Sequence, residues 1–378
     1  MIVRDFIGWL ETASTAQRAE AAHALARSYL YADVDRDTLE RMETSLTILL
    51  DDPSPQVRFA LADALGGSPE APRNLILSLV QDRQDIAVEV ASRSPVLLDG
   101  ELVDLVATMS VPLQEAIAGR PVLAPSVAAA IAELGGPLCC RILLENEGAS
   151  IVPMTLSRLA ARFGSDPDIR SILLERDDLP VAVRHGLLRD LGHALGVLVS
   201  RRSWLDDVRA DEVVRDACDD ATVAIAAETA EEHLAVLAEH LRSTGQLTTS
   251  LLLRALCAGN VSFFAAALSI LSGVPEGRVR SLVNDGRAGP LKAVYGRAGL
   301  PLSAFGAFAS ALSACREYSA FNGPAPRMSR RVVDDVLARH EMTSDGPIGE
   351  LATMLRRFAA EATRAAAREF VRSAIRAA

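Results

Sequence analysis

The chain has 378 residues, of which 49% are apolar and only 4% aromatic, and its 39 basic residues stand against 49 acids for a formal charge of −10. That length is two to three times a typical domain of about 100–150 residues, so it predicts two domains or one elongated repeat, with no disulfide or metal needed as a staple. A core drawn from Ala, Leu and Val favours helices, and the scarcity of alternating β-branched runs argues against a sheet.

The first residues, MIVRDFIGWLETAS, carry Arg4, Asp5 and Glu11 and lack a long apolar segment or a small-residue cleavage site behind them, which reads as a mature cytoplasmic start. Helices are then predicted over 2–11, 15–31, 37–50, 55–66, 71–80, 84–93, 100–108, 123–134, 150–163, 167–175 and 180–200, each bounded by Pro, Gly or an Asp/Ser cap. The stretch LLDDPSPQVRFALADAL (49–65) shows how these boundaries work. Leu46, Leu49 and Leu50 close one helix, Asp51 or Asp52 with Pro53 makes the turn and supplies an N-cap carboxylate, and Pro55 opens a helix in which Val57, Leu61 and Leu65 recur at helical spacing. Arg58 is expected to reach back over the turn to one of those aspartates. No nucleophile or base is spaced to use Asp51 and Asp52 as catalytic acids.

Asp-Pro followed by Val57-Arg58 and a small-residue helix resembles the HEAT-type helical repeat. Asp82, Ile86 and Val90 echo it within 79–97, and an acidic turn, a proline and Val183-Arg184 echo it within 173–191. The resemblance implies antiparallel helix pairs stacked as a superhelix over residues 1–204.

The next block is acidic: eleven carboxylates between Asp206 and His240 face only Arg209 and Arg215, whereas 351–378 holds six arginines and two glutamates. Opposite blocks of this kind either dock on each other or face different partners. LSGVPEGRV (271–279) and RAGLPLSAF (297–305) share a glycine that ends one helix and a proline that opens the next, so both are predicted helix corners. FNGPAPRMS (321–329) is expected to be a linker and TSDGPIG (343–349) to precede a long terminal helix. The expected domains are therefore 1–204, 205–325 and 326–378. Within 255–301, ALCAGNVSFFAAALSILSGVPEGRVRSLVNDGRAGPLKAVYGRAGLP, the Leu-Ser-Gly-Val-Pro, Arg-Val and Ala-Gly-Leu-Pro elements are similar to those of the alphaproteobacterial proteins grouped as domain of unknown function 2336. That resemblance covers about 245–320 and implies an all-helical fold without naming an activity.

The chemistry-bearing residues point to few reactions. Cys139, Cys140, Cys218, Cys257 and Cys315 are odd in number, have no CxxC spacing and sit in apolar patterns, as buried free thiols of a reducing compartment do. His233 and His240 share a helix face about 10.5 Å apart along the axis, too far for one ion, and Asp190 with His193 is a single two-ligand pair, so neither a metal nor a cofactor is expected. Phosphate-loop, nucleophile-elbow and dinucleotide motifs are missing, and no catalytic residue is assigned.

GRAG occurs at 286–289 and 296–299, and Arg278, Arg280, Arg287, Lys292 and Arg297 surround it as candidates for binding an anion at helix N-termini. The same region fits a helix-turn-helix template over 267–283, with Leu268, Ser269, Gly273, Val274, Val279 and Leu282 at its buried and turn positions and Arg278 and Arg280 on the recognition helix. The terminal helix carries a stripe of Leu351, Leu355, Phe358, Ala362, Ala366, Phe370 and Ala374 that suits internal packing, a homodimer or a membrane surface. The expectation is a non-enzymatic adaptor that binds a protein or peptide along a helical-repeat groove. A DNA-binding regulator and a sensor of a small anion are the competing readings.

Overall fold

A computed structural model of the protein describes residues 8–108, 110–202, 205–318, 325–339 and 353–360, with positions 363, 364, 367 and 371 beyond them. The chain is all-α. Apart from helices and turns, the described residues hold one isolated bridge, between Leu123 and Ala149. The chain divides into two units, Met1–Pro180 and Val181–Ala378, so the division falls ahead of the expected boundary at 204.

In the first unit the helices are α1 (Thr15–Tyr31), α2 (Arg36–Leu50), α3 (Pro55–Leu65), α4 (Arg73–Leu79), α5 (Gln84–Arg93), α6 (Asp99–Thr108), α7 (Val111–Ala118), α8 (Pro125–Leu134), α9 (Pro137–Glu145), α10 (Pro153–Phe163) and α11 (Pro167–Glu175). Ser14 and Gln17 form a capping box at α1, Asp35 caps α2, and α3 and every helix from α7 to α11 carry proline in the first turn, where a missing N–H costs nothing. The sequence pattern assigns no helix to α7 or α9.

Helices alternate between two rows. One row runs α1, α3, α5, α7, α9, α11, each packed on the next; the other holds α2 on α4 and α6 on α8 on α10. Leu46, Leu61, Ile76, Val90, Ile117, Ile131, Leu143 and Leu156 are fully buried in this unit.

Side chains tie each turn to the one before it. The Arg18 guanidinium pairs with both Asp52 oxygens at 2.7 and 3.1 Å, and Arg58 pairs with both Asp82 oxygens at 2.6 and 3.0 Å while donating to the Asp52 carbonyl at 2.6 Å. Arg58 therefore reaches forward to the next acidic turn, and only a backbone carbonyl takes its backward hydrogen bond; Asp52 is already held by Arg18. Burial opposes ionisation of Asp52 and Asp82, and their arginine partners override it and hold both carboxyls below the usual range. The N-cap of α3 is Ser54, and Asp52 accepts instead from the Ser54 N–H within the turn.

The orphan carbonyls at the C-terminal ends of the first row are satisfied in the same stepwise way. Arg120 donates to Ala91 and Ser94 at the end of α5, Asn146 to Ala118 and Arg120 after α7, and Arg176 to Leu144 in the last turn of α9.

The second unit contains α12 (Val181–Arg201), α13 (Asp207–Glu228), α14 (Glu231–Ser243), α15 (Thr249–Cys257), α16 (Val261–Ser272), α17 (Glu276–Asp285), α18 (Ala288–Arg297), α19 (Phe305–Tyr318) and α20 (Ala325–Arg339), with a further helical stretch at 353–360. Val183-Arg184, taken as a repeat echo, lies on α12, which packs on α13 and α14 in this unit. Helix α15 is the centre: residues Leu251 to Cys257 are all buried, and the helix packs on α13, α16, α19 and α20. A helix buried on every side belongs in a core.

The expected corners are present. Gly273 ends α16 at φ 68° and Gly299 follows α18 at φ 75°, each a left-handed turn in which glycine carries no penalty, and Pro275 and Pro301 come next. Helix α20 begins at Ala325, inside the expected linker; residues 319–324 and the TSDGPIG segment lie outside the described residues. Leu355 and Phe358 of the terminal stripe are buried in the core of this unit, so these two positions are not free to form a dimer or membrane face. Leu351, Ala362, Ala366, Phe370 and Ala374 lie outside the described residues. No helix among the described residues is long and apolar enough to cross a membrane.

Candidate functional site

The five cations singled out from the sequence do not share one environment. Arg280 on α17 is held by two carboxylates, Glu231 at 3.0 Å and Glu276 at 2.7 Å, which cancels the charge that a recognition helix would offer to a phosphate. Arg278, Arg287, Lys292 and Arg297 are exposed and make no ion pair among the described residues. The first GRAG does lead into the N-terminus of α18, but the second sits at its C-terminal end, where carbonyls rather than N–H groups are presented. Arg316 closes the other side of the first turn by donating to the Val283 carbonyl at 3.3 Å. In the helix-turn-helix segment Leu268 and Val279 are buried as expected, while Val283 is buried and Leu282 only partly so.

The acidic block does meet the C-terminal basic segment. Arg357 lies 3.3 Å from Glu212 and 3.4 Å from Asp216. Beneath it Arg254, fully buried in α15, donates to the Asp216 carboxylate at 3.0 Å and to Asp220, and the Phe358 ring covers its guanidinium at 5.7 Å. Burial works against the charge on Arg254, and Asp220 outweighs it.

Beside this network α12, α13 and the α14–α15 turn line a half-open cavity of about 280 Å³. His185 of α12 is 4% exposed and its Nδ1 has no hydrogen-bond partner; the Oε1 of Gln246 is likewise buried and unpartnered. Arg189, Arg215, Cys218 and Asp219 complete the polar wall. Of the five thiols, Cys218 is therefore the half-buried one, while Cys139, Cys140, Cys257 and Cys315 are buried and free, as expected; burial pushes the Cys139 thiol up to about 12. His240 packs edge-on against His185 with ring centroids 5.3 Å apart, so its nearest aromatic partner comes from another helix and not from His233.

Burial, partly offset by Arg254, pushes the Asp219 carboxyl up to about 6, and burial with the neighbouring His240 pushes His185 down to about 4. The raised carboxyl contributes stability below its unfolded value of 3.8 that is lost as pH rises through about 6; the lowered imidazole costs stability as pH falls from 6.5 towards 4. The two effects oppose each other between these limits. Asp219→Asn removes one of them, so its stability relative to the parent protein is expected to rise as pH is raised from 4 to 7, which urea unfolding at a series of pH values reads directly.

The first unit offers a different surface. Leu98, Val122, Val152 and Met154 are exposed at the N-terminal ends of α6, α8 and α10, which are neighbours in one row. The turns leading into α8 and α10 are joined by backbone: the Leu123 N–H donates to the Gly148 carbonyl at 3.1 Å and the Ser150 N–H to the Leu123 carbonyl at 2.9 Å.

The model of an uncharacterised protein family conserved in bacteria, DUF2336, matches residues 86–345, more than half of the chain. The chain belongs to the DUF2336 family. The match extends well ahead of the 245–320 block that carries the resemblance in sequence, and takes in both the α6–α10 edge and the cavity of the second unit. No curated protein and no solved structure matches the chain.

Proposed function

We propose that the protein is a non-catalytic adaptor, and that its first unit is a HEAT-like superhelix which binds another protein. The observation that carries this reading is the apolar edge of α6, α8 and α10, where Val122 and Met154 are each 79% exposed. Exposed apolar residues scattered singly need no explanation, but here four fall on successive turns of one row, the arrangement that marks a protein-binding surface. The occupant this edge fits is an apolar segment of a protein partner. A DNA-binding role for α16 and α17 draws support from Arg278 on α17 and from Arg287, Lys292 and Arg297 at the next helix, which make no ion pair among the described residues, and is weakened by the double neutralisation of Arg280.

The test is affinity capture from nuclease-treated native lysate, comparing the parent chain with a Val122→Asp/Met154→Asp variant. Both positions are exposed, so the variant is expected to unfold at the parent temperature yet recover a stoichiometric partner at least about tenfold less well, a loss of roughly 1.4 kcal/mol in affinity. Equal recovery by the variant removes the edge from consideration. Recovery only of nucleic-acid-binding proteins that disappear with nuclease favours the reading through Arg278, Arg287, Lys292 and Arg297.

A further inference from the structure

The cavity between α12, α13 and the α14–α15 turn holds several polar groups that the adaptor reading does not use. His185 is almost wholly buried yet its Nδ1 is unpartnered, and Gln246, whose buried Oε1 also lacks a donor, lines the same space. Unpaired buried polar atoms are rare in folded proteins because each forfeits its hydration, so an unpartnered oxygen on Gln246 of this cavity wall points to a guest that brings a donor.

The wall also carries both signs of charge. Among the described residues Arg215 makes no ion pair and Asp219, one helical turn further along α13, accepts no hydrogen bond. Arg189 adds a second guanidinium from α12; two of its donors are occupied by Asp190 at 3.1 and 2.8 Å. A simple anion would satisfy the arginines and leave Asp219 and Gln246 Oε1 without a donor. A simple cation would do the reverse.

We propose that this cavity binds a free amino acid, its carboxylate on Arg215 and Arg189 and its ammonium group between Asp219 and Gln246 Oε1. The volume of about 280 Å³ lies at the small end of ligand pockets, which suits a single amino acid. Leu241 and Leu251 on the same wall give the side chain an apolar resting place. This site is separate from the apolar edge of the first unit, and its test does not depend on that reading.

The experiment is thermal unfolding of the full chain at pH 7.5, where Asp219 is ionised, with the protein amino acids added one at a time at millimolar concentration and with acetate, ammonium and inorganic phosphate as comparison probes. The expected result is that one amino acid or a few related ones raise the midpoint of the second unit in a saturable way. A ligand at about one hundred times its Kd shifts the folding equilibrium about a hundredfold. The shift is expected to vanish in Arg215→Gln and in Asp219→Asn, each measured against its own ligand-free midpoint, and to survive in Val122→Asp. No shift with any amino acid overturns the proposal, since the unpartnered atoms would then be served by water alone. So does an equal shift with acetate or phosphate, which would make the cavity a plain anion site, and so does a shift retained in both variants.

Discussion

Changing both Asp216 and Asp220 to Asn is expected to destabilise the second unit by about 3–5 kcal/mol, whereas Arg254→Met costs only about 1–2 kcal/mol. The asymmetry follows from where each charge sits. Arg254 is fully buried in α15, while the Asp216 and Asp220 side chains are 24% and 39% exposed. Removing the arginine leaves two carboxylates that can turn towards water, and methionine keeps most of the volume and the contact with Phe358. Removing the carboxylates strands a guanidinium in the centre of the core, beneath a helix that cannot give way without exposing Leu355 and Phe358. The triple variant, with methionine and both asparagines, is expected to recover part of the loss, because a buried ion network replaced by apolar volume is often neutral. Urea unfolding followed by circular dichroism checks the order of the three. If Arg254→Met proved the most damaging, the guanidinium would be acting through hydrogen bonds to the Asp216 carbonyl and carboxylate alone, with little desolvation to compensate.

The same network shows which parts of the molecule can be read from sequence. Helix starts are local chemistry, so Pro55, Asp35 and the Gly273–Pro275 corner mark their boundaries without help from the rest of the fold. Helices α7 and α9 escape because they are little more than two turns long in segments where Gly119, Gly135 and Gly136 dominate the pattern, and packing between neighbours in the row supplies what their own periodicity does not. Arg58 and Asp52 are legible as a tied turn, but the actual carboxylate partner, Asp82, lies 24 residues on, and local spacing carries no sign of it. Arg254 did leave a signal: one arginine inside LLLRALC, a run otherwise fit only for a core, must be buried and paired. The acidic block at 206–239 is then its complement as well as that of Arg357. The cavity has no such trace, since His185, Arg215, Asp219 and Gln246 come from three segments whose convergence is wholly tertiary.

Gly148→Ala is expected to weaken the first unit by about 3 kcal/mol and to lower partner capture with it. A methyl at this position would stand 1.9 Å from the carbonyl oxygen of Pro121 and 3.3 Å from Asn146 Oδ1, so backbone has to move. The need for glycine here is close approach between two turns and involves no left-handed backbone. What moves is the pairing of 121–124 with 148–150, in which the Leu123 and Ser150 N–H groups are donors, together with Asn146, whose amide holds the Ala118 and Arg120 carbonyls at the end of α7. Overpacking costs about 1–3 kcal/mol and each lost hydrogen bond about 1 kcal/mol, which together give the expected size. Gly100→Ala in α6 is the control with the opposite sign: nothing lies within 4 Å of its added methyl, so the lower chain entropy of the unfolded state is expected to stabilise the unit by about 0.5 kcal/mol. Hydrogen exchange separates the local from the global effect. Faster exchange at Leu123 and Ser150 with an unchanged α3–α5 core would place the damage in the turns that carry Val122 and Val152, and loss of capture would then follow from misplacing that edge. Unchanged exchange and stability would mean the two turns are not held against each other in solution, and the apolar edge would lose its physical basis.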